Sequence, residues 1–245
     1  MDSIVWLPFK IGFWLLVIAG IYHLLTRKFL NPFKLSIYVG KKGCGKSTNM
    51  ARLALKYQKK GWTVYSNEPM NIEGVRVFNT KMLGSHTPEK NSLVLVDEAG
   101  IYYHKRDFKE FAKTCREWYK KQRHYKCRVI MFSQTWDIDL TLRELTDDMY
   151  LLVNIARVFT WAKRIRRSLI LTEPFGEQES RLADRLQFDS ILLWPFGSRF
   201  LCFIPKYIKY FDSYETRPLP ALPYTVMHHA PVPPWYRRRS RRSKR

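Results

Sequence analysis

The chain has 245 residues, with 43 Lys and Arg against 21 Asp and Glu, a formal net charge of +22 and 46% hydrophobic residues. That length supports one core of α/β size, and the ordinary apolar content with 15% aromatics excludes a long disordered chain or a collagen-like repeat. Four cysteines, Cys44, Cys115, Cys127 and Cys202, form no CxxC pair and no framework spacing, which excludes a disulfide miniprotein and leaves reduced thiols as the expectation. The positive excess predicts a polyanionic neighbour, and composition does not choose among nucleic acid, anionic lipid and nucleotide phosphate.

Residues Ile4 to Leu25 carry a single charge, Lys10. A helix of about 22 residues spans roughly 33 Å, close to a hydrocarbon core, so the segment reads as one membrane span. Lys10 sits near its start, where the long stem can snorkel outward, and Trp6, Trp14 and Tyr22 suit interfacial positions. A cleavable leader would want a basic start, which Met1-Asp2-Ser3 lacks, and the uninterrupted apolar run Ile11 to Ala19 argues against a core helix. Arg27, Lys28 and Lys34 follow the span and no Lys or Arg precedes it. The positive-inside rule therefore places residues 26 to 245 in the cytoplasm.

From Leu35 the pattern changes to short apolar runs alternating with helical stretches, the signature of βαβ units and a mainly parallel sheet. Expected strands are Leu35–Val39, Thr63–Ser66, Val75–Phe78, Leu93–Val96, Val129–Phe132, Leu151–Ala156 and Ser168–Leu171. Expected helices are Ser47–Lys59, Asp107–Arg123 and Thr141–Asp148. Ile191–Trp194 and Phe200–Ile204, joined by Pro195-Phe196-Gly197-Ser198, read as a hairpin. The resulting organisation is an anchor at 1–28, an α/β domain with a β-rich C-terminal part at 29–215, and a Pro-rich linker with an Arg-rich tail at 216–245.

Gly40-Lys41-Lys42-Gly43-Cys44-Gly45-Lys46-Ser47 matches G-x-x-x-x-G-K-[ST] in full, between an apolar strand and a helix, as the motif requires. Its glycines let the chain wrap close to phosphates, and its N–H groups sit at a helix N-terminus that favours negative charge. Residues Gly40 to Thr48 are thus the expected ATP cradle, with Lys46 on the β and γ phosphates and the Ser47 hydroxyl on Mg²⁺. Leu93-Val94-Leu95-Val96-Asp97-Glu98 is a buried-strand run ending in two carboxylates. Asp97 would hold Mg²⁺ through water, and Glu98 would orient and deprotonate an attacking water. A small-molecule kinase needs no such base, so the pair favours ATP hydrolysis. Gln134 ends the apolar strand Val129–Phe132, at the carboxyl edge where α/β sheets bind ligands, and would sense the γ-phosphate or position water.

The phosphate loop, Ser66-Asn67-Glu68-Pro69, the Asp97-Glu98 pair, Gln122-Arg123-His124 and Ser133-Gln134 together resemble the zonular occludens toxin (Zot) group. These are filamentous-phage assembly ATPases, similar to the FtsK/HerA class of DNA-pumping P-loop proteins. The likeness covers roughly residues 35 to 172. It implies an ATPase of the host inner membrane that extrudes single-stranded phage DNA as coat or assembly proteins are added. It also implies a homo-oligomer in which an arginine ahead of the sensor strand reaches a neighbouring subunit's nucleotide; Arg123 fits that position best, with Arg128 second. The opposing reading of Arg123 is a solvated basic helix end beside Lys120, Lys121 and Lys126. One departure stands out: the family places its span after the ATPase, whereas here it comes first and a basic tail comes last.

Basic runs such as Lys163-Arg164-Ile165-Arg166-Arg167, and aromatic–basic mixtures at Trp118–Lys121 and Tyr207–Phe211, would suit a path for unpaired bases, or else core packing beside a solvated face. Neither the histidines nor the cysteines show metal-ligand spacing. Two further readings share the same site: a conjugation-type DNA translocase, and an assembly scaffold that binds ATP with little turnover.

Overall fold

A computed structural model describes residues 6–103, 112–136, 138–172 and 181–211 of the chain. Helix α1 (Leu7–Thr26) has 20 residues, about 30 Å at the usual rise, and among the described residues it alone is long and apolar enough to cross a membrane. Its apolar side chains, Phe13, Leu16 and Leu24 among them, are exposed along its length.

After a short connection the chain enters the sheet. Strands β1 (Leu35–Val39), β2 (Thr63–Ser66), β3 (Val75–Val77), β4 (Ser92–Val96) and β5 (Cys127–Ser133) are mutually parallel and lie in the order β3-β2-β4-β5-β1. β6 (Asp148–Ile155) continues the parallel run beside β1. Direction then reverses: β7 (Phe159–Thr172) pairs antiparallel with β6 through one edge and with β8 (Arg181–Phe188) and β9 (Arg199–Phe203) through the other.

Alternation along the strands decides the two faces of the sheet. Leu93, Leu95, Ile130 and Phe132 point to one side, where they bury Met50, Ala51, Leu53, Ala54 and Tyr57 of α2 (Lys46–Gln58). Val94, Val96, Val129 and Met131 point to the other, against Ala99 of α3 (Ala99–Tyr102), Cys115, Trp118 and Tyr119 of α4 (Ala112–Lys121) and Leu142 of α5 (Leu140–Glu144). Strands buried on both faces read as continuous apolar runs, which is why β1, β4 and β5 stood out in the sequence. Across β5, β1 and β6 the register partners Phe132, Tyr38 and Tyr150 stack as a ladder of rings, 5.2 and 4.9 Å between centroids. Each such pair adds about 1 kcal/mol beyond the area it buries.

Several expectations are corrected. The strand expected at Ser168–Leu171 begins at Phe159 and runs for 14 residues. Ile191–Trp194 is no strand: it belongs to a 3₁₀ helix, Ile191–Phe196, capped by the Ser190 hydroxyl and ended by Gly197 in the left-handed region. The expected hairpin therefore does not form, and β9 pairs with β7 instead. The helix expected at Thr141–Asp148 stops at Glu144, because Asp148 already opens β6. Of the helix expected from Asp107, residues 107–111 lie outside the described residues, as do the linker and tail from 216 onward.

All four cysteines are free and buried. Burial pushes the Cys44, Cys127 and Cys202 thiols up, and that of Cys115 up to about 12.

The basic run in β7 is committed to the fold. Arg164 and Arg166 both direct Nε to the Asp189 carboxylate, whose side chain is 3% exposed, and Asp189 N–H returns a bond to the Arg164 carbonyl. Removing one member of a buried pair leaves the other's desolvation uncompensated. Asp189→Ala should therefore lower the unfolding free energy by about 2 kcal/mol in urea titrations, with no change in slope.

Candidate nucleotide site

The carboxyl ends of β1, β5 and β4 meet in one place because all three run parallel, with β5 between the other two. The turn after β1 is the phosphate loop, the turn after β4 carries Asp97 and Glu98, and Gln134 follows β5. Three motifs far apart in sequence are thereby adjacent.

The loop's backbone is built for close approach. Gly43 and Gly45 hold φ of 75° and 89°, where a side chain is strained. A Cβ on Gly40 would lie 2.5 Å from Cys44 Sγ, and one on Gly45 would lie 2.0 Å from Thr160 Oγ1. Gly40 N–H bonds the Ser133 carbonyl at 3.1 Å, tying the loop's start to β5. Lys46 is 8% exposed and its ammonium donates to the Gly40 carbonyl at 3.0 Å and the Lys41 carbonyl at 3.4 Å, so it lies folded back across the loop. Ser47 is half-buried beside it, whereas the Thr48 hydroxyl turns back to the Gly45 carbonyl at 2.9 Å. Lys41 and Lys42 are exposed, and Cys44 is buried in the core beneath the loop.

Asp97 is 7% exposed. Asn67, at the end of β2, clamps it on both sides of the peptide: Asn67 Nδ2 donates to the Asp97 carbonyl at 3.0 Å and Asp97 N–H donates to Asn67 Oδ1 at 2.7 Å. Burial raises the Asp97 carboxyl to about 6; the Glu98 and Glu68 charges push the same way, while a bond from Glu98 N–H and the Lys46 charge oppose it. A buried carboxylate with acidic neighbours and one ammonium is a group that a divalent cation would relieve, which fits the Mg²⁺ role for this position. Glu98 occupies the left-handed region at φ 49°, uncommon for a residue with a side chain. Its carboxylate accepts a bond from the Gln134 amide, so the expected base and the expected sensor touch.

Two contributors carry no motif in the sequence. Thr160 Oγ1, on β7, donates to the Cys44 carbonyl at 2.8 Å, and Asn154 Nδ2, on β6, donates to the Gly43 carbonyl at 3.1 Å. Both take carbonyls of the phosphate loop, and a Thr in a basic strand and an Asn at a strand end give no sequence signal for that task.

Arg123 and Arg128 lie at the opposite end of the sheet, since both precede or open β5. Arg123 is 62% exposed, with Asp147 at 3.9 Å; Arg128 donates to the Pro32 carbonyl at 3.2 Å and stands over the Tyr57 ring. Neither reaches the phosphate loop of its own chain. Gln122 is buried and donates to the Phe33 carbonyl at 2.9 Å, a structural contact. Trp118 and Tyr119, weighed as base-stacking residues, are buried in the core at 4% and 2% exposure and are unavailable for that role.

A mainly parallel sheet, a complete phosphate loop after β1, and β5 inserted between β1 and the strand that ends in the acidic pair define a P-loop NTPase fold. No protein-family model matches the chain, and no curated protein matches it either. Among solved structures it is similar to the N-terminal domain of zonular occludens toxin from Neisseria meningitidis, with 15% identity and TM-score 0.44 over 66% of this chain and 97% of that one. It is also similar to the genome packaging NTPase B204 from Sulfolobus turreted icosahedral virus 2, solved in complex with ATP-gammaS, with 14% identity and TM-score 0.40 over 50% and 75%. A third is the flagellar accessory protein FlaH from Methanocaldococcus jannaschii, with 12% identity and TM-score 0.36 over 54% and 77%. The Zot group, which the motifs resemble, is thus represented among the similar structures, and at these identities the likeness concerns the fold.

Two consequences are measurable. Gly45→Ala should cost about 2–4 kcal/mol and abolish nucleotide binding, read by thermal unfolding with and without ATP, because the new Cβ meets Thr160 in a backbone conformation that already strains it. For Asp97 the native carboxyl holds its proton more tightly than the usual value of 3.8 allows in the unfolded chain, so stability falls as pH rises from about 4 to about 6. Asp97→Asn should raise stability by up to about 3 kcal/mol at pH 7.5, with the gain vanishing near pH 4, in denaturation curves taken across that range.

Proposed function

We propose that the chain is a membrane-anchored ATPase that powers assembly and extrusion of a filamentous phage, exporting single-stranded DNA from the cytoplasm across the host inner membrane. The observation that carries the ATPase part is the convergence of Lys46, Asp97, Glu98 and Gln134 on the phosphate loop at one end of the sheet, with Gln134 bonded to Glu98. In this reading the loop's N–H groups and the Lys46 ammonium hold the β and γ phosphates. Mg²⁺, held by the Ser47 hydroxyl and through water by Asp97, would supply neutralisation of the phosphate charge. Glu98 takes the proton of the attacking water, and Gln134 fixes the carboxylate and the water relative to the terminal phosphate.

Helix α1 supplies the anchor, with Arg27 and Lys28 after it favouring a cytoplasmic P-loop domain. The resemblance of the motifs to the Zot group supports phage extrusion over a conjugation-type translocase. Homo-oligomer formation would let the exposed Arg123 serve a neighbour's nucleotide, because its own lies at the far end of the sheet.

The test is turnover of the full chain in detergent, with and without single-stranded DNA. Lys46→Ala should abolish ATP binding. Glu98→Gln should retain binding and reduce hydrolysis by about 10²–10⁴-fold, the usual worth of a positioned base. Parent-like hydrolysis by both variants removes the proposed site; binding with negligible turnover in the parent turns the motor into a scaffold.

A further inference from the structure

Helix α2 starts at the phosphate loop and runs away from it. Its outward side carries Arg52 and Lys56, and Lys59 and Lys60 follow directly after its end, the last about 20 Å from Lys46. Against this side packs the last described stretch of the chain, α6 (Ile204–Tyr207) and the turn after it, secured by a bond from Asn71 N–H to the Tyr210 carbonyl at 2.9 Å. Between them lies a groove of about 700 Å³, to which this stretch adds Lys206, Tyr207, Lys209 and Tyr210.

The lining contains no carboxylate. Lys59, Lys60, Lys206 and Lys209 are exposed and form no ion pair among the described residues. Lys206 and Lys209 stand over the rings of Tyr207 and Tyr210 at 5.7 and 5.1 Å, and Lys60 stands over Tyr57 at 5.3 Å. Both Tyr207 and Tyr210 are half-buried, anchored against the core cluster under α2 with the remainder toward the groove. An unneutralised set of cations concentrated in a concave site calls for a polyanion. A concave site takes a flexible strand where a flat array of lipid headgroups would meet only its rim, and fixed tyrosine faces among lysines offer bases a stacking surface that headgroups do not use.

We propose that this groove, separate from the nucleotide site but sharing α2 with it, binds single-stranded DNA, its lysines on consecutive phosphates and Tyr207 and Tyr210 against bases. The choice of DNA as the polyanion rests on the export reading above; the groove itself does not.

The experiment uses the full chain in detergent and a labelled oligothymidylate. Binding is followed by anisotropy across a salt series, in parallel with a duplex of equal length and with vesicles containing phosphatidylglycerol. A second arm crosslinks an oligonucleotide carrying 5-iododeoxyuridine and maps the adduct by mass spectrometry. Lys59→Ala/Lys60→Ala/Lys209→Ala should weaken oligothymidylate binding at least tenfold and make the log–log salt slope shallower by about 2, since each phosphate contact to a single strand contributes about 0.7. Tyr207→Ala/Tyr210→Ala should weaken it further at fixed salt, Tyr207→Phe/Tyr210→Phe should restore it, and adducts should map to Tyr207 or Tyr210. Unchanged thermal unfolding certifies each variant. Parent-like binding by the triple lysine variant, or adducts confined to residues 237–245, overturns the groove while leaving DNA export standing. Equal affinity for duplex, or lysine-dependent binding to vesicles and none to the oligonucleotide, also overturns it. Absence of any DNA binding by the parent sinks both readings.

Discussion

A loop that offers its N–H groups to phosphates must turn its carbonyls the other way, and a carbonyl turned inward needs a donor. In this chain the donors for Gly43 and Cys44 are Asn154 and Thr160, from the hairpin formed by β6 and β7. The rest of the architecture is arranged so that this hairpin can be there. β6 runs parallel to β1, which brings Asn154 up to the loop, and β7 returns antiparallel, which sets Thr160 beside it. The close fit leaves no room for a Cβ on Gly45, so a motif usually discussed as an eight-residue unit is completed by residues more than a hundred positions away.

The same sheet order explains how the acidic pair acquires its surroundings. With β5 between β1 and β4, Gln134 stands between the loop and Glu98, and with β2 on the far side of β4, Asn67 reaches the Asp97 peptide from the other flank. Asp97 is clamped through its backbone by Asn67, and its carboxylate accepts one bond, from Glu98 N–H, against burial and its acidic neighbours. That is the arrangement that lifts its titration into the range near 6.

The parallel core was legible because its strands are buried on two faces and so read as unbroken apolar runs; the bounds of β1 and β2 were read to the residue. Beyond β6 the sheet turns antiparallel and partly solvated, and the signal weakens. In β7, Lys163, Arg164, Arg166 and Arg167 hide the strand, since the buried alternation extends only over Thr160 and Ala162, with Arg164 at the next position in phase and Ile165 on the opposite face. The run Ile191–Trp194 is apolar enough for a strand, yet Ser190 and Gly197 bracket it as caps, and caps prevail over a run this short. Arg123 lies at the other end of the sheet, whereas the three motifs that the sheet brings together after β1, β4 and β5 were legible as patterns. Their braces were not, because a single hydroxyl and a single amide have no spacing to betray them.

The burial of every cysteine has a practical side. Cys44 sits inside the most functional turn of the chain, yet its thiol, like the other three, is covered and held in the neutral form, where reaction with oxidants and maleimides is slow. One new cysteine placed on the surface would then be the preferred target of a fluorophore, with the native four left in place.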